Sequence, residues 1–174
     1  MAKIISIVNQ KGGVGKTTSA VNLAAALGAL GKRVLLVDID PQGNTTSGYG
    51  ISRKNLAATS YEILIGSATA ASAIIPTKFQ GVDIIPSNIN LAGAELELAV
   101  MDKREALLKN ALATIQENYD FIFFDCPPSL GLITLNVLTA SDSFIVPIQC
   151  EYYALEGLSQ LMATVRTIKR LYNP

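Results

Sequence analysis

Residues 9–18 read NQKGGVGKTT. The stretch nearly fits the phosphate-binding pattern G-x-x-x-x-G-K-S/T. Gly15, Lys16 and Thr17 supply its second half, but the position of the first glycine is held by Gln10, and an additional lysine, Lys11, follows. Upstream, Lys3 to Val8 is a β-branched apolar run that reads as a buried strand. Downstream, KTTSAVNLAAALGAL from Lys16 has helical spacing, and Gly31 stops it. A glycine-rich loop between strand and helix can turn its backbone N–H groups around phosphate oxygens, and the helix adds its positive dipole end. Lys16 would reach the β- and γ-phosphates, Thr17 would ligate Mg²⁺, and Thr18 would bond the α-phosphate. The plain alternative is a turn that merely joins strand to helix.

The same alternation continues along the chain. KRVLLVDID, GVDIIPS, DFIFFDCPPS and SFIVPIQC read as further buried strands. TSYEILIG, with a capping-type start, reads as a short helix. NLAGAELELAV, KREALLKNALATIQENY, GLITLNVLTAS and ALEGLSQLMATVRTIKRLY also read as helices. PQGNTTSGYG reads as a polar loop, and residues 52–77 are ambiguous. Strands that are apolar throughout and alternate with helices imply an α/β fold with a mostly parallel sheet, covered by helices on both faces. Ligands then bind beyond the C-terminal strand ends. The 9–18 loop, Asp38, Asp40 and Asp125 all fall there. Asp125 ends the apolar run FIFFD, as a carboxylate holding Mg²⁺ or its water must, and this pairing of two motifs favours a P-loop NTPase.

Composition narrows the classes. The chain has 174 residues, 49% hydrophobic and 16% charged, which suits one domain over residues 1–174. Net charge is zero, so no overall basic field points to nucleic acid. The absence of His removes the usual general base and zinc ligand. Cys126 and Cys150 lack metal-site spacing and read as reduced thiols of a cytoplasmic protein. No segment approaches the roughly 18 apolar residues of a membrane span.

KGGVGKTT with Lys11 resembles the deviant Walker A loop of the ParA/MinD class of P-loop ATPases. VDIDPQGNTTSGYG, IIPSNINLAGAELEL, FIFFDCPPSLG and IVPIQCEYYALEGLSQL resemble its ParA/Soj branch, which partitions chromosomes and plasmids. The resemblance covers nearly the whole chain. It implies that ATP, with Mg²⁺, is bound by Lys11, Gly12, Gly13, Val14, Gly15, Lys16, Thr17 and Thr18. It makes Lys11 a signature lysine that crosses a homodimer interface to the partner's phosphates. Lys11, Lys16 and Asp40 become the catalytic candidates, with Asp40 orienting the attacking water; an Asp-Pro turn is the plainer reading of Asp40. Thr17 and Asp125, directly or through water, become the metal candidates. Asp38 either assists Mg²⁺ or satisfies loop amides, and Asn9 either contacts nucleotide or closes the loop. Gly12, Pro127 and Pro128 fall at the expected switch and dimer interface, so a side chain at Gly12 should block dimerisation. EYYALEG is expected on the dimer face.

The function so implied is an ATP-driven dimerisation switch whose dimer binds DNA without sequence preference. A ParB/Spo0J-type centromere-binding partner stimulates hydrolysis. No membrane contact is expected, and the location is cytoplasmic, on the nucleoid. Two alternatives stand beside it. A MinD-like division-site ATPase would need an amphipathic membrane helix that these residues do not show. A non-catalytic C-terminally truncated fragment is the other, since family members continue past Pro174.

Overall fold

Two short segments, Lys3–Ile7 (β1) and Phe121–Asp125 (β5), run side by side as parallel strands, Ile7 opposite Asp125. Their apolar residues are buried among other apolar side chains on both sheet faces, which is why neither shows a polar alternation. Val34–Asp38 (β2) pairs with the other edge of β5 and sets Asp38 opposite Asp125. A computed structural model describes residues 1–173, the side chains of residues 152–156 excepted. The dimer-face expectation for EYYALEG falls largely on those side chains and so lies outside the described residues.

The sheet has six strands in the order β3-β4-β2-β5-β1-β6, where β3 is Ile75–Pro76, β4 is Val82–Ile85 and β6 is Ser143–Ile145. All pairings are parallel except β3 with β4. Helix α1, Lys16–Ala29, lays Ala20 and Ala24 on one face, against Ile7, Val34, Leu36 and Phe123. On the other face the larger core gathers Leu35, Val37, Ile122 and Phe124 with Leu108, Leu112, Ile133 and Val137. These last four come from α5, Leu107–Ala113, and α6, Leu132–Ala140. Helices therefore cover both faces, as the sequence implies.

Several elements differ in detail. The expected polar loop at 41–50 contains a short helix, α2, Asn44–Gly48. It has no apolar stripe; its amide and hydroxyl groups are held by buried carboxylates described below. Thr59 caps α3, Ser60–Leu64, in a reciprocal capping box with Glu62. The helix expected over 90–100 is a 3₁₀ turn at Ile89–Gly93 followed by α4, Ala94–Leu98. The one expected over 103–119 shortens to α5 and a 3₁₀ turn at Gln116–Asn118. The strand expected over 143–150 pairs only to Ile145, and Pro147, lacking an N–H, lies just beyond. The final helix, α7, runs Tyr152–Leu171.

Candidate functional site

The loop from Asn9 to Gly15 leaves the C-terminal end of β1, between β5 and β6. Gly13 and Gly15 have φ of +73° and +94°, a backbone region that residues with a Cβ rarely adopt, so the tight cradle requires glycine. Gly15 is also the N-cap of α1, and no side chain caps that end, so the first helical amides face the loop. Gly12 differs. It carries no positive φ, and a Cβ built on it meets nothing within 4 Å, so nothing among the described residues demands glycine there. Val14 is partly buried within the same loop.

Lys16 is buried and donates through Nζ to the Lys11 carbonyl at 3.0 Å. Burial lowers its pKa, opposed by the negative charges of Asp125 and Asp40. Thr17 Oγ1 donates to Asp125 Oδ2 at 2.7 Å, so the loop and the end of β5 meet directly. Thr45 Oγ1, from α2, donates to the same oxygen at 2.7 Å. Burial raises the Asp125 pKa and the two hydroxyl bonds oppose this. Its second oxygen, Oδ1, is buried and has no hydrogen-bond partner among the described residues. These groups fit Mg²⁺: the Thr17 hydroxyl and Asp125 Oδ1 are hard oxygen donors, and such an ion keeps several waters and takes phosphate oxygens for the rest. Bound there, Mg²⁺ would supply neutralisation of phosphate charge.

Asp38 and Asp40 separate in role. Asp38 Oδ2 accepts from Thr46 N at 2.7 Å and Thr46 Oγ1 at 2.6 Å, and Oδ1 accepts from Asp40 N at 3.2 Å. Burial still pushes its pKa up to about 7. Asp40 Oδ1 accepts from Gln42 N at 2.9 Å, an Asx turn, while Asp40 also lines the cleft over the glycine loop. That cleft, about 380 Å³, is bounded by Gly12, Gly13, Lys16, Thr17, Thr18, Asp40 and Pro128, so it gathers most of the expected site residues. Pro127 is buried beside it. A larger groove of about 640 Å³, lined by Leu130, Leu132, Leu135, Ile168 and Leu171 among others, lies between α6 and α7. It is lined by no lysine and by a single glycine, Gly131, beside the Glu95 carboxylate, so the smaller cleft is the candidate site.

Lys11 does not join the cleft through its side chain. Its Nζ pairs with Glu151 and donates to Gln149 Oε1 at 3.2 Å, both just before α7. Asn9 closes the loop: Nδ2 donates to the Pro147 carbonyl at 2.8 Å and Oδ1 accepts from Lys11 N at 3.0 Å. Gln10, which replaces the expected glycine, donates to the Gly157 carbonyl at 2.8 Å. Thr45, Thr46 and Gln149 were not singled out by the sequence, and Glu151 only as the first residue of EYYALEG. Only their position, just after DPQ and just before the last helix, could have drawn notice to them.

A family model described as an AAA domain matches residues 2–174. Over 173 residues the chain is 58% identical to the sporulation initiation inhibitor protein Soj of Bacillus subtilis, a match covering 99% of this chain and 68% of that protein. It is 51% identical to the chromosome partitioning protein ParA of Myxococcus xanthus, covering 100% of this chain and 62% of that one. The chain belongs to the ParA/Soj family of partition ATPases. As a member of that family it spans about two thirds of the length of these relatives. Among solved structures, the fold matches cobyrinic acid a,c-diamide synthase from Mycobacterium smegmatis with bound ATP analogue and magnesium. The TM-score is 0.95 at 42% identity, covering 100% of this chain and 71% of that one. No helix among the described residues is long and apolar enough to cross a membrane.

Proposed function

We propose that residues 1–174 act as one domain, the nucleotide-binding core of a Mg²⁺-dependent ATPase that serves as an ATP-driven dimerisation switch in DNA partition. The observation that carries this is the bond from Thr17 to Asp125 at 2.7 Å, with the other carboxylate oxygen buried and unpartnered. In this reading the amides of Gly13 to Thr18 and the Lys16 ammonium bind the phosphates. Thr17 ligates Mg²⁺ and Asp125 holds it, directly or through water. Asp40 orients the attacking water by accepting from it. Asp38, engaged on both oxygens, holds the loop that bears Asp40.

Lys11 would supply the charge that lets two triphosphate sites face each other across a homodimer, and Gly12 and the Pro127–Pro128 loop would lie at that face. To cross, Lys11 must leave Glu151 and Gln149 of its own chain. ATP would then be part of the interface, and hydrolysis would dissolve it. Sequence-independent DNA binding by the dimer, with a steep loss on adding salt, and stimulation by a ParB-type partner complete the proposal, with the protein on the nucleoid.

Light scattering with Mg²⁺-ATP tests the switch. The chain should double its mass, Lys11→Ala and Gly12→Val should stay monomeric, and Gly12→Val should still bind ATP. A wild-type chain that binds ATP yet remains a monomer, or a Gly12→Val chain that dimerises, contradicts it.

A further inference from the structure

Asp125 Oδ2 takes two hydroxyl hydrogen bonds of equal length, from Thr17 and from Thr45, each 2.7 Å. Thr45 is fully buried on α2 and its placement is fixed by the residue beside it. Thr46 donates its amide and its hydroxyl to Asp38, and its hydroxyl oxygen accepts from Ser87 N, beyond β4, at 2.9 Å. Adjacent threonines thus grip adjacent strand-end carboxylates, since Asp38 and Asp125 are register partners on β2 and β5.

Each threonine hydroxyl has one proton to give, so with two of them on Oδ2 the Asp125 carboxylate has one preferred rotation. Oδ1 is left buried with no partner among the described residues, an arrangement that is costly unless it serves a ligand. Thr17 is shared with the nucleotide loop, whereas Thr45 reaches Asp125 from the loop that carries Asp40. We propose that Thr45 is a positioning residue of the Mg²⁺ centre: its hydroxyl fixes the rotation of Asp125 that keeps Oδ1 free for the metal and its water. It also ties that carboxylate to the Asp40 loop, so metal affinity and the placement of Asp40 are linked. This rests on the Mg²⁺-nucleotide reading given above.

Calorimetry with ATP, first in EDTA and then at stepped Mg²⁺ concentrations, tests the inference on the whole chain. Thr45→Val keeps the shape and removes the donor; Thr45→Ser keeps the donor. The Mg²⁺ concentration for half-maximal enhancement of ATP binding should rise roughly tenfold in Thr45→Val, the scale usual for partners of metal ligands. Affinity for ATP in EDTA should stay within about twofold, and Thr45→Ser should behave as wild type in both. Should Thr45→Val fail to melt cooperatively, Thr45→Ala, which adds no bulk, gives the same comparison. An unchanged Mg²⁺ requirement in a folded Thr45→Val or Thr45→Ala chain overturns this inference alone. So does a Thr45→Ser chain as impaired as Thr45→Val. A wild-type chain showing no Mg²⁺-dependent ATP binding overturns the functional reading and this inference together.

Discussion

The two loops beside the phosphate cradle are held in opposite ways. The one at 40–46 is pinned from beneath: Asp38 takes three donors from it, Asp125 takes Thr45, and Ser87 N reaches Thr46. The one at 127–131 begins with two prolines that have no N–H to give; Pro127 is buried, Pro128 is exposed, and Thr134 Oγ1 donates to the Ser129 carbonyl at 2.8 Å. Both loops follow a strand-end aspartate, yet one is anchored through buried carboxylates and the other through a hydroxyl bond from α6. On the proposed function, the difference suits each to a task. A loop that must keep a water-orienting group in register needs many fixed bonds, while a loop that must respond to a γ-phosphate needs few.

The pinned side is also the pH-sensitive side, and this gives the largest expected effect. The Asp38 carboxyl is pushed up to about 7 by burial, so folding takes up a proton there between its ordinary value near 4 and about 7. Its contribution to stability is complete below about pH 4 and is lost as the pH rises through 7, an effect of roughly 2–4 kcal/mol. Urea unfolding of the nucleotide-free chain should show stability falling from pH 5 to pH 8, and Asp38→Asn should flatten that fall. Equal slopes in the two proteins would remove the burial argument for Asp38.

A pair of threonine substitutions sharpens the comparison. Thr46→Val removes a hydroxyl bond to a buried carboxylate and strands Ser87 N, and should cost about 2–3 kcal/mol. Thr134→Val removes one bond to a carbonyl at the other loop and should cost about 1 kcal/mol. Chemical denaturation of both variants at one pH measures the gap, and equal costs would erase the contrast between the loops. The smallest effect belongs to Pro128→Ala, which should change stability by no more than about 0.5 kcal/mol because the side chain is exposed. A larger loss would show the second loop to be pinned as well.

What was legible in the sequence follows the same division. The central strands were readable because residues buried on both faces leave unbroken apolar runs, and FIFFD delivers Asp125 to the sheet edge by its length alone. The glycine loop was readable because positive φ at Gly13 and Gly15 leaves few other residues possible. Helix α2 was not, since NTTSG has no apolar period and owes its shape to two carboxylates distant in sequence. The expected long helices between residues 90 and 119 break where the backbone turns, Lys103 at φ +52° being one such place. The strand Ile75–Pro76 is too short to announce itself, and β6 ends early near a proline. Lys11 was picked out for its charge, but its hold on Gln149, 138 residues away, and on Glu151 beyond it could not be seen. Local patterns thus revealed the cradle, and the bonds that tension it are long-range.

The most direct test of the account is titration calorimetry of the chain with Mg²⁺-ATP beside Lys16→Ala. Removing the buried charge that the proposed function sets against the phosphates should weaken binding by about 30-fold or more. Saturable binding by the wild type that Lys16→Ala loses is the predicted result. A folded wild-type chain that binds no Mg²⁺-ATP, or a Lys16→Ala chain that binds it equally well, would contradict the claim that these residues form a working phosphate site.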